Sequence, residues 1–208
     1  MLTIDHVSKQ FDDRLILEDV SFSIKEGDYV TLVGRSGCGK TTLLNIATGM
    51  MRPSSGQVLW NGTDVYALSE NKRTQLRGKE IGFMTCQNAL LENLTVYENI
   101  KYTLLLNHLS VQKDKIKDVL LGLHIYTVCH SYPAELSSGE YRRALFARTL
   151  CMNPTLFVLD EPTSNLDEDS KNLIIQAIDQ IGKDKAVLVA THDPKLMKGR
   201  IIPPSENA

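Results

Sequence analysis

The sequence predicts an α/β fold with a mostly parallel central sheet, an N-terminal antiparallel β subdomain and an inserted α-helical subdomain. Residues 155–160 and 186–190 are continuous apolar runs separated by a helical stretch, which is typical of parallel strands covered on both faces. Residues 2–7 and 20–24 alternate apolar and polar side chains, as half-buried strands do. Residues 88–152 contain few strand-like runs and several helical ones, which indicates a helical insert.

The elements follow in chain order. Residues 29–33 form a β-branched apolar run and predict a buried strand. The segment 41–48 after it predicts a helix that Gly49 ends. Residues 57–60 lead into Asn61-Gly62 and predict the end of a hairpin. The remaining predictions are a polar turn over 9–14, helices over 69–77, 96–106, 113–121, 141–151 and 171–181, a strand from 81 that ends at Gln87, and a tail from Pro203.

A phosphate-binding loop lies between the strand at 29–33 and the helix at 41–48. Residues 34–42 fit the pattern G-x-x-x-x-G-K-[ST] without a gap, which predicts a P-loop NTPase. Glycines let successive amides face an anion, and the helix N-terminus adds partial positive charge. We expect Lys40 to contact the β- and γ-phosphates and Thr41 to offer its hydroxyl to Mg²⁺. The predicted binding residues of this loop are Gly34, Arg35, Ser36, Gly37, Cys38, Gly39, Lys40, Thr41 and Thr42.

Two acidic residues follow the apolar run at 156–159. Asp160, at the predicted strand end, is expected to hold Mg²⁺, directly or through water. Glu161 is one residue further and is expected to polarise an attacking water as a general base. A strand-end acidic turn without function is the alternative, and the phosphate loop argues against it.

Composition limits the possible function classes. A chain of 208 residues with 42% apolar and 23% charged residues fits one globular domain. The net charge of −2 gives no reason to expect nucleic acid as a partner. The four cysteines form no C-x-x-C pair, which favours reduced thiols in the cytoplasm. No apolar run approaches the ~20 residues of a membrane span, so any channel must come from another chain.

Five further motifs make the chain similar to the ATP-binding subunits of ABC transporters, and the resemblance covers nearly the whole chain. Residues 136–140, Leu-Ser-Ser-Gly-Glu, resemble that family's L-S-G-G-Q signature. Residues 164–167 match its aspartate loop. Gln87 matches its glutamine loop, His192 its switch histidine, and Phe11 the aromatic residue that stacks on adenine.

The resemblance implies ATP and Mg²⁺ as cofactors and a role for each matched residue. Glu161, His192 and Gln87 would be catalytic, and Thr41, Gln87 and Asp160 would hold Mg²⁺. The single domain 1–208 would divide into a nucleotide-binding core, 1–87 and 153–208, and a helical signature subdomain, 88–152. Two copies would sandwich two MgATP head to tail, beneath a membrane-spanning permease subunit on the inner face of the cell membrane. The nucleotide-contacting residues would be those of the phosphate loop, Phe11, Ser137, Ser138 and Gly139.

Two signature positions depart from the family pattern, and several residues have a structural alternative. Ser138 replaces a glycine, and Glu140 replaces the usual glutamine, which places an acid near an anion. Phe11 and His192 are alternatively core residues, and Gln87 is alternatively a strand cap. Ser137 and Gly139 also suit the start of a helix. Three arginines of the following helix indicate a solvated or lobe-packing surface: Arg142, Arg143 and Arg148.

Function beyond ATP use is open in three directions. Residues 90–100 are similar to the subgroup serving lipoprotein release, macrolide export and antimicrobial-peptide resistance, and also to its cell-division member. Export, or mechanical signalling across the membrane, is therefore favoured over nutrient import. A soluble ABC ATPase acting on DNA or ribosomes is the second possibility. An unrelated P-loop kinase or GTPase is the third, although residues 71–74 lack the aspartate of a guanine-reading N-K-x-D motif.

Overall fold

Two β-sheets and six helices frame the described part of the computed structural model, which covers residues 1–85 and 89–204. Short 3₁₀ turns join some of these elements. The strands are β1 Leu2–Phe11, β2 Arg14–Ile24, β3 Tyr29–Leu32, β4 Ser55–Trp60, β5 Thr63–Asp64, β6 Ile81–Met84, β7 Leu156–Asp160, β8 Ala186–Ala190 and β9 Arg200–Ile202. The helices are α1 Lys40–Ala47, α2 Glu70–Glu80, α3 Val96–Leu106, α4 Lys113–Gly122, α5 Ser138–Met152 and α6 Glu168–Ile181.

The first sheet is antiparallel, with the order β2-β1-β4-β5. Its alternating sequence places Leu2 and Ile4 inward, as predicted. Asn61 and Gly62 both have positive φ, which suits the tight turn between β4 and β5 and confirms the predicted hairpin. The predicted polar turn over 9–14 is wrong in extent. Backbone pairing with β2 continues to Phe11, so only residues 12–13 turn.

The second sheet is parallel, with the order β6-β7-β8-β3-β9. Every residue of β7 and β8 is buried, because helices or the antiparallel sheet cover both faces. The predicted parallel central sheet is therefore confirmed. Strand β9 pairs with β3 and lies beyond the elements that the sequence predicted.

Two hydrophobic cores lie on opposite faces of the parallel sheet. Leu156 and Val158 face the antiparallel sheet and α1, whereas Phe157 and Leu159 face α5, α6 and the helices before them. This alternation follows from the two-residue period of a strand. Strand β7 is thus held from both sides, which fixes the position of the residues that follow it.

A buried asparagine ties the segment before α3 to that helix, in the helical insert between β6 and β7. Asn99 on α3 donates through Nδ2 to the carbonyls of Leu91 (3.1 Å), Leu94 (2.9 Å) and Thr95 (3.0 Å). Its Oδ1 accepts from the Leu91 amide at 2.7 Å. Thr95 caps α3 in a capping box with Glu98. One amide side chain thus bonds to residues 91, 94 and 95 of the segment before α3.

Two sequence predictions fall outside the described ranges: the strand end at Gln87 and the tail beyond residue 204. Helix α2 begins after Ser69, as predicted, and extends to Glu80. None of the helices in residues 1–85 and 89–204 combines the length and the hydropathy that crossing a membrane requires.

We expect Asn99→Ala to lower the free energy of unfolding by about 2–4 kcal/mol, because it removes the donor to the carbonyls of residues 91, 94 and 95 and the acceptor of the Leu91 amide. Urea denaturation measures the change. Asn93→Ala is the control, since Asn93 is exposed in the same segment. A loss no larger than that of the control would show that water or other groups satisfy these carbonyls.

Candidate nucleotide-binding site

A cavity of about 500 Å³ lies where the carboxyl ends of β3, β7 and β8 meet. The three strands are neighbours in a parallel sheet, so the segments after them share one edge. A pocket of this size holds a nucleotide-sized ligand. The residues lining it are Phe11, Arg14, Ile16, Ser36, Gly37, Gly39, Lys40, Thr41, Thr42, Asp160, Glu161, Ser164 and His192.

The phosphate loop occupies the floor of this cavity. Gly39 precedes α1 with φ +98°, and a Cβ there would lie 2.7 Å from Leu17 Cδ2, so only glycine fits. Lys40 is buried, and its Nζ donates to the carbonyls of Gly34 at 2.6 Å and Arg35 at 3.2 Å. The lysine is therefore already aligned along the loop that would enclose a phosphate.

Thr41 and Asp160 bring two hard oxygen donors together. Thr41 Oγ1 donates to Asp160 Oδ2 at 2.7 Å. Burial raises the pKa of Asp160, and the Thr41 hydrogen bond and the charges of Lys40 and Arg142 oppose that rise. Oxygen ligands of this type, completed by phosphate and water, suit Mg²⁺. These two residues therefore fit the predicted metal role.

Glu161 and His192 form the opposite wall. Glu161 Oε1 lies 3.1 Å from His192 Nε2 without hydrogen-bond geometry, and this buried oxygen has no hydrogen-bond partner in the described part of the chain. Glu161 Oε2 accepts from the His192 amide at 3.2 Å. Burial raises the pKa of Glu161, while His192 and Lys40 lower it. The wall thus presents a carboxylate oxygen that accepts no hydrogen bond from the described residues and lies beside an imidazole.

The tip of the β1–β2 hairpin forms the rim. Phe11 is 43% exposed, so the alternative that it is a core residue is wrong. Lys9 Nζ lies 5.0 Å from the centre of the Phe11 ring, within cation–π distance. The ring itself lines the mouth of the cavity. Arg14 and Ile16 line the rim beside it, and sequence reasoning missed both. Their two-residue spacing on one face of a strand was the available signal.

The signature residues lie away from the cavity. Ser137 is the N-cap of α5, and its Oγ donates to Glu140 Oε2 at 2.7 Å in a capping box. Ser137 and Ser138 are exposed and do not belong to the lining. Gly139 is buried, and a Cβ there would lie 2.5 Å from Ser170 Oγ at the start of α6. The serines therefore face outward from a helix N-terminus that glycine allows to pack closely.

The three arginines of α5 do not share one environment. Arg142 is 8% exposed and binds main-chain carbonyls at the end of β7, so the solvated-face alternative is wrong for this residue. Arg143 donates to Ser170 Oγ, and Arg148 to the Ala89 carbonyl. Arg142 and Arg143 thus agree with the lobe-packing alternative, whereas Arg148 bonds to a residue within the helical segment itself.

The predicted site residues fall into three groups: those that line the cavity, those that lie outside it, and Gln87, which the described ranges do not include. His192, with a side chain 56% exposed, is not a core histidine. Gln87 lies outside the described residues, and Ser164, which lines the cavity, belongs to the matched aspartate loop. The cavity gathers Phe11, Ser36, Gly37, Gly39, Lys40, Thr41, Thr42, Asp160, Glu161 and His192, whereas Gly34, Arg35, Cys38, Ser137, Ser138 and Gly139 do not line it.

The solved structures that are similar to this fold include two of one ABC transporter cassette. One is described as the dimeric structure of MJ0796, a bacterial ABC transporter cassette, with a TM-score of 0.87 and 28% identity, covering 94% of this chain and 90% of that one. The second, a post-hydrolysis state of the same cassette bound to ADP and Pi, has a TM-score of 0.86 at 28% identity and the same coverage.

Sequence relatives point the same way. The ABC transporter ATP-binding protein YtrE of Bacillus subtilis (strain 168) is 33% identical over 94% of this chain and 90% of its own length. The lipoprotein-releasing system ATP-binding protein LolD of Buchnera aphidicola subsp. Acyrthosiphon pisum is 37% identical over 88% and 82%. The ABC transporter family model matches residues 17–164. With the cavity and loop described above, these matches place the chain in the ABC transporter family, as one of its ATPase subunits.

Proposed function

We propose that this chain drives export through a membrane-spanning permease subunit by hydrolysing ATP in a head-to-tail homodimer. The observation that carries the hydrolytic part of the proposal is Glu161 Oε1, which accepts no hydrogen bond from the described residues, lies beside His192 and shares a cavity with the phosphate loop and Asp160. A general base needs an acceptor oxygen close to the bound phosphate, and the position of Glu161 Oε1 in this cavity meets that requirement.

Hydrolysis follows from the positions of these groups. Water attacks the γ-phosphorus, the bond from that phosphorus to the bridging oxygen of the β-phosphate breaks, and ADP and phosphate leave. Glu161 Oε1 accepts the proton that the water loses, and His192 beside it stabilises the developing negative charge on the γ-phosphate. Lys40 and the loop amides hold the β- and γ-phosphates in line for the attack.

Mg²⁺ is assigned to Thr41, Asp160 and Gln87. The hydrogen bond between Thr41 and Asp160 supports the first two assignments, because both oxygens already converge on one point. Bound there, the cation would neutralise charge on the β- and γ-phosphates. Gln87 is carried by the motif match alone. Phe11, on the cavity rim, is assigned to stacking on adenine.

A second copy completes the site. Ser137, Ser138 and Gly139 begin a helix and project from the segment 88–152, outside the cavity of their own chain. A helix N-terminus with hydroxyl side chains binds phosphate, so in the homodimer these residues would cover the nucleotide held by the partner. This arrangement requires residues 88–152 to act as a signature subdomain against the core of residues 1–87 and 153–208.

The export assignment rests on likeness to one subgroup. The Buchnera relative is a lipoprotein-releasing system component by name, and it aligns with 88% of this chain. The segment 90–100, held by Asn99, lies at the front of α3 and is the proposed contact for the permease. The protein would then work in the cytoplasm, as a peripheral subunit on the inner face of the cell membrane.

Glu161→Gln is the central test. The amide cannot take the proton, so we expect kcat for ATP hydrolysis to fall by about 10²- to 10⁴-fold while ATP still binds. The variant should then form a dimer in saturating MgATP, measured by light scattering after size exclusion. Lys40→Ala should bind ATP about 10- to 100-fold more weakly, since it loses a charge-assisted contact, and should stay monomeric. A Glu161→Gln chain that remains monomeric in MgATP would contradict the sandwich.

Glu140→Gln tests the signature departure. The Glu140 carboxylate accepts the hydrogen bond of the Ser137 hydroxyl. It would also place negative charge beside the phosphate that Ser137 contacts in the proposed dimer. We expect the substitution to strengthen ATP-dependent dimerisation about threefold to tenfold, an effect that salt weakens. Glu135→Gln is the matched control, because Glu135 makes the same kind of contact with the Tyr132 amide one turn earlier. If both substitutions strengthened ATP-dependent dimerisation equally, the charge of Glu140 in the signature would not be the cause.

Cell fractionation separates a transporter subunit from a soluble ABC ATPase. We expect the chain, expressed at its natural level, to sediment with membranes and to be released by detergent together with a permease. Recovery with ribosomes or DNA instead would contradict the proposed partner. A chain lacking residues 90–100 is unsuitable for this assay, since Asn99 organises the fold there. Leu91→Glu, an exposed position in the segment, is the appropriate variant and should reduce membrane recovery.

A further inference from the structure

We infer that Arg142 is a positioning residue that holds the main chain of Glu161 in its working conformation and connects the signature helix of the same chain to it. The inference rests on the proposed role of Glu161. Arg142 lies on α5, three residues after Gly139, and does not line the cavity. Its effect on hydrolysis must therefore pass through other residues.

The guanidinium of Arg142 binds consecutive main-chain carbonyls at the turn after β7. Nη2 donates to the carbonyls of Glu161 at 2.6 Å and Asp160 at 3.1 Å, and Nε donates to that of Pro162 at 3.2 Å. Nη1 lies 3.4 Å from the carbonyl of Thr85 at the end of β6. The planar fork of arginine provides donors in fixed directions, which a lysine ammonium cannot reproduce.

Glu161 has a backbone that needs such support. Its φ is +47°, in the left-handed region that residues with a Cβ rarely adopt. Its amide donates to the Ala190 carbonyl at 2.8 Å, and its carbonyl also accepts from the Ser164 amide at 3.2 Å. Arg142 adds the shortest of these bonds. This conformation turns the carboxylate of Glu161 toward His192 and the cavity.

The same contact joins two parts of the proposed dimer. Helix α5 begins at the signature, which would contact the partner's nucleotide in the proposed dimer. Arg142 is the fifth residue of this helix. Because Arg142 bonds α5 to the turn that holds Glu161, a shift of α5 as a rigid unit would move that turn as well. Closure over the partner's ATP would thus set the position of the general base in the chain that provides the signature.

A double-mutant cycle tests this inference on the full chain. We expect Arg142→Lys to lower kcat by about 10- to 100-fold, because a misplacement of about 1 Å costs that much. Its affinity for a fluorescent ATP analogue should change by less than about twofold, since the phosphate loop is untouched. In a Glu161→Gln background, Arg142→Lys should produce no further loss of single-turnover rate, because both changes act through one carboxylate.

Arg148→Lys is the matched control. Arg148 lies on the same helix and also donates to a main-chain carbonyl, that of Ala89, but it has no contact with the turn after β7 in the described residues. It should keep its kcat. Arg142→Gln, which retains a planar amide donor, replaces Arg142→Lys if the latter does not fold by circular dichroism.

The outcomes separate the two proposals. Wild-type kcat in Arg142→Lys, an equal loss in kcat and in ATP affinity, or a full additional loss in the Glu161→Gln background would each overturn the role of Arg142. If Glu161→Gln alone keeps its activity, the proposed function of Glu161 fails, and the inference fails with it. A severe loss in Glu161→Gln with none in Arg142→Lys leaves the general base standing and removes the positioning residue alone.

Discussion

The parallel pairing of β8 with β3 on one side and β7 on the other is the constraint on which the site depends. It brings three carboxyl ends to one edge, although the residues concerned are far apart in sequence. Thr41 and Asp160 are 119 residues apart and share a hydrogen bond of 2.7 Å. Burial of β7 and β8 on both faces leaves these strands no freedom to slide, so the distances at the edge are set by the core.

Charge balance in the cavity opposes the cost of burying two adjacent carboxylates. Burial raises the pKa of both Asp160 and Glu161, and Lys40 acts in the opposite direction on each. Lys40 is itself held by carbonyls of the phosphate loop, and its Nζ lies 3.4 Å from His192 Nε2. The site is therefore a connected set of charges in which the lysine stabilises both the loop and the acidic wall. Removing it would change more than a phosphate contact.

The helical segment contributes through its contacts with the sheet as well as through its signature. Gly139 allows the start of α5 to lie against Ser170 at the start of α6, and Arg142 fastens α5 to the end of β7. Glu140 completes a capping box with Ser137, as a glutamine also could, and its negative charge adds a favourable interaction with the helix N-terminus. In the proposed homodimer, the same carboxylate would lie near the partner's phosphate. Helix stability and phosphate affinity thus have opposite requirements at this position.

The sequence by itself determined the phosphate loop, the buried strands and the order of the motifs, because each depends on local periodicity or on residue types at fixed spacing. The tertiary structure alone decided three features: the exposure of Phe11, the position of Arg14 and Ile16 beside the phosphate loop in one cavity, and the burial of Arg142. Each of these depends on which distant segment packs against the residue. The sequence of α5 does not show whether Arg142 faces solvent or the end of β7. Only the packing of α5 against β7 decides between these two environments.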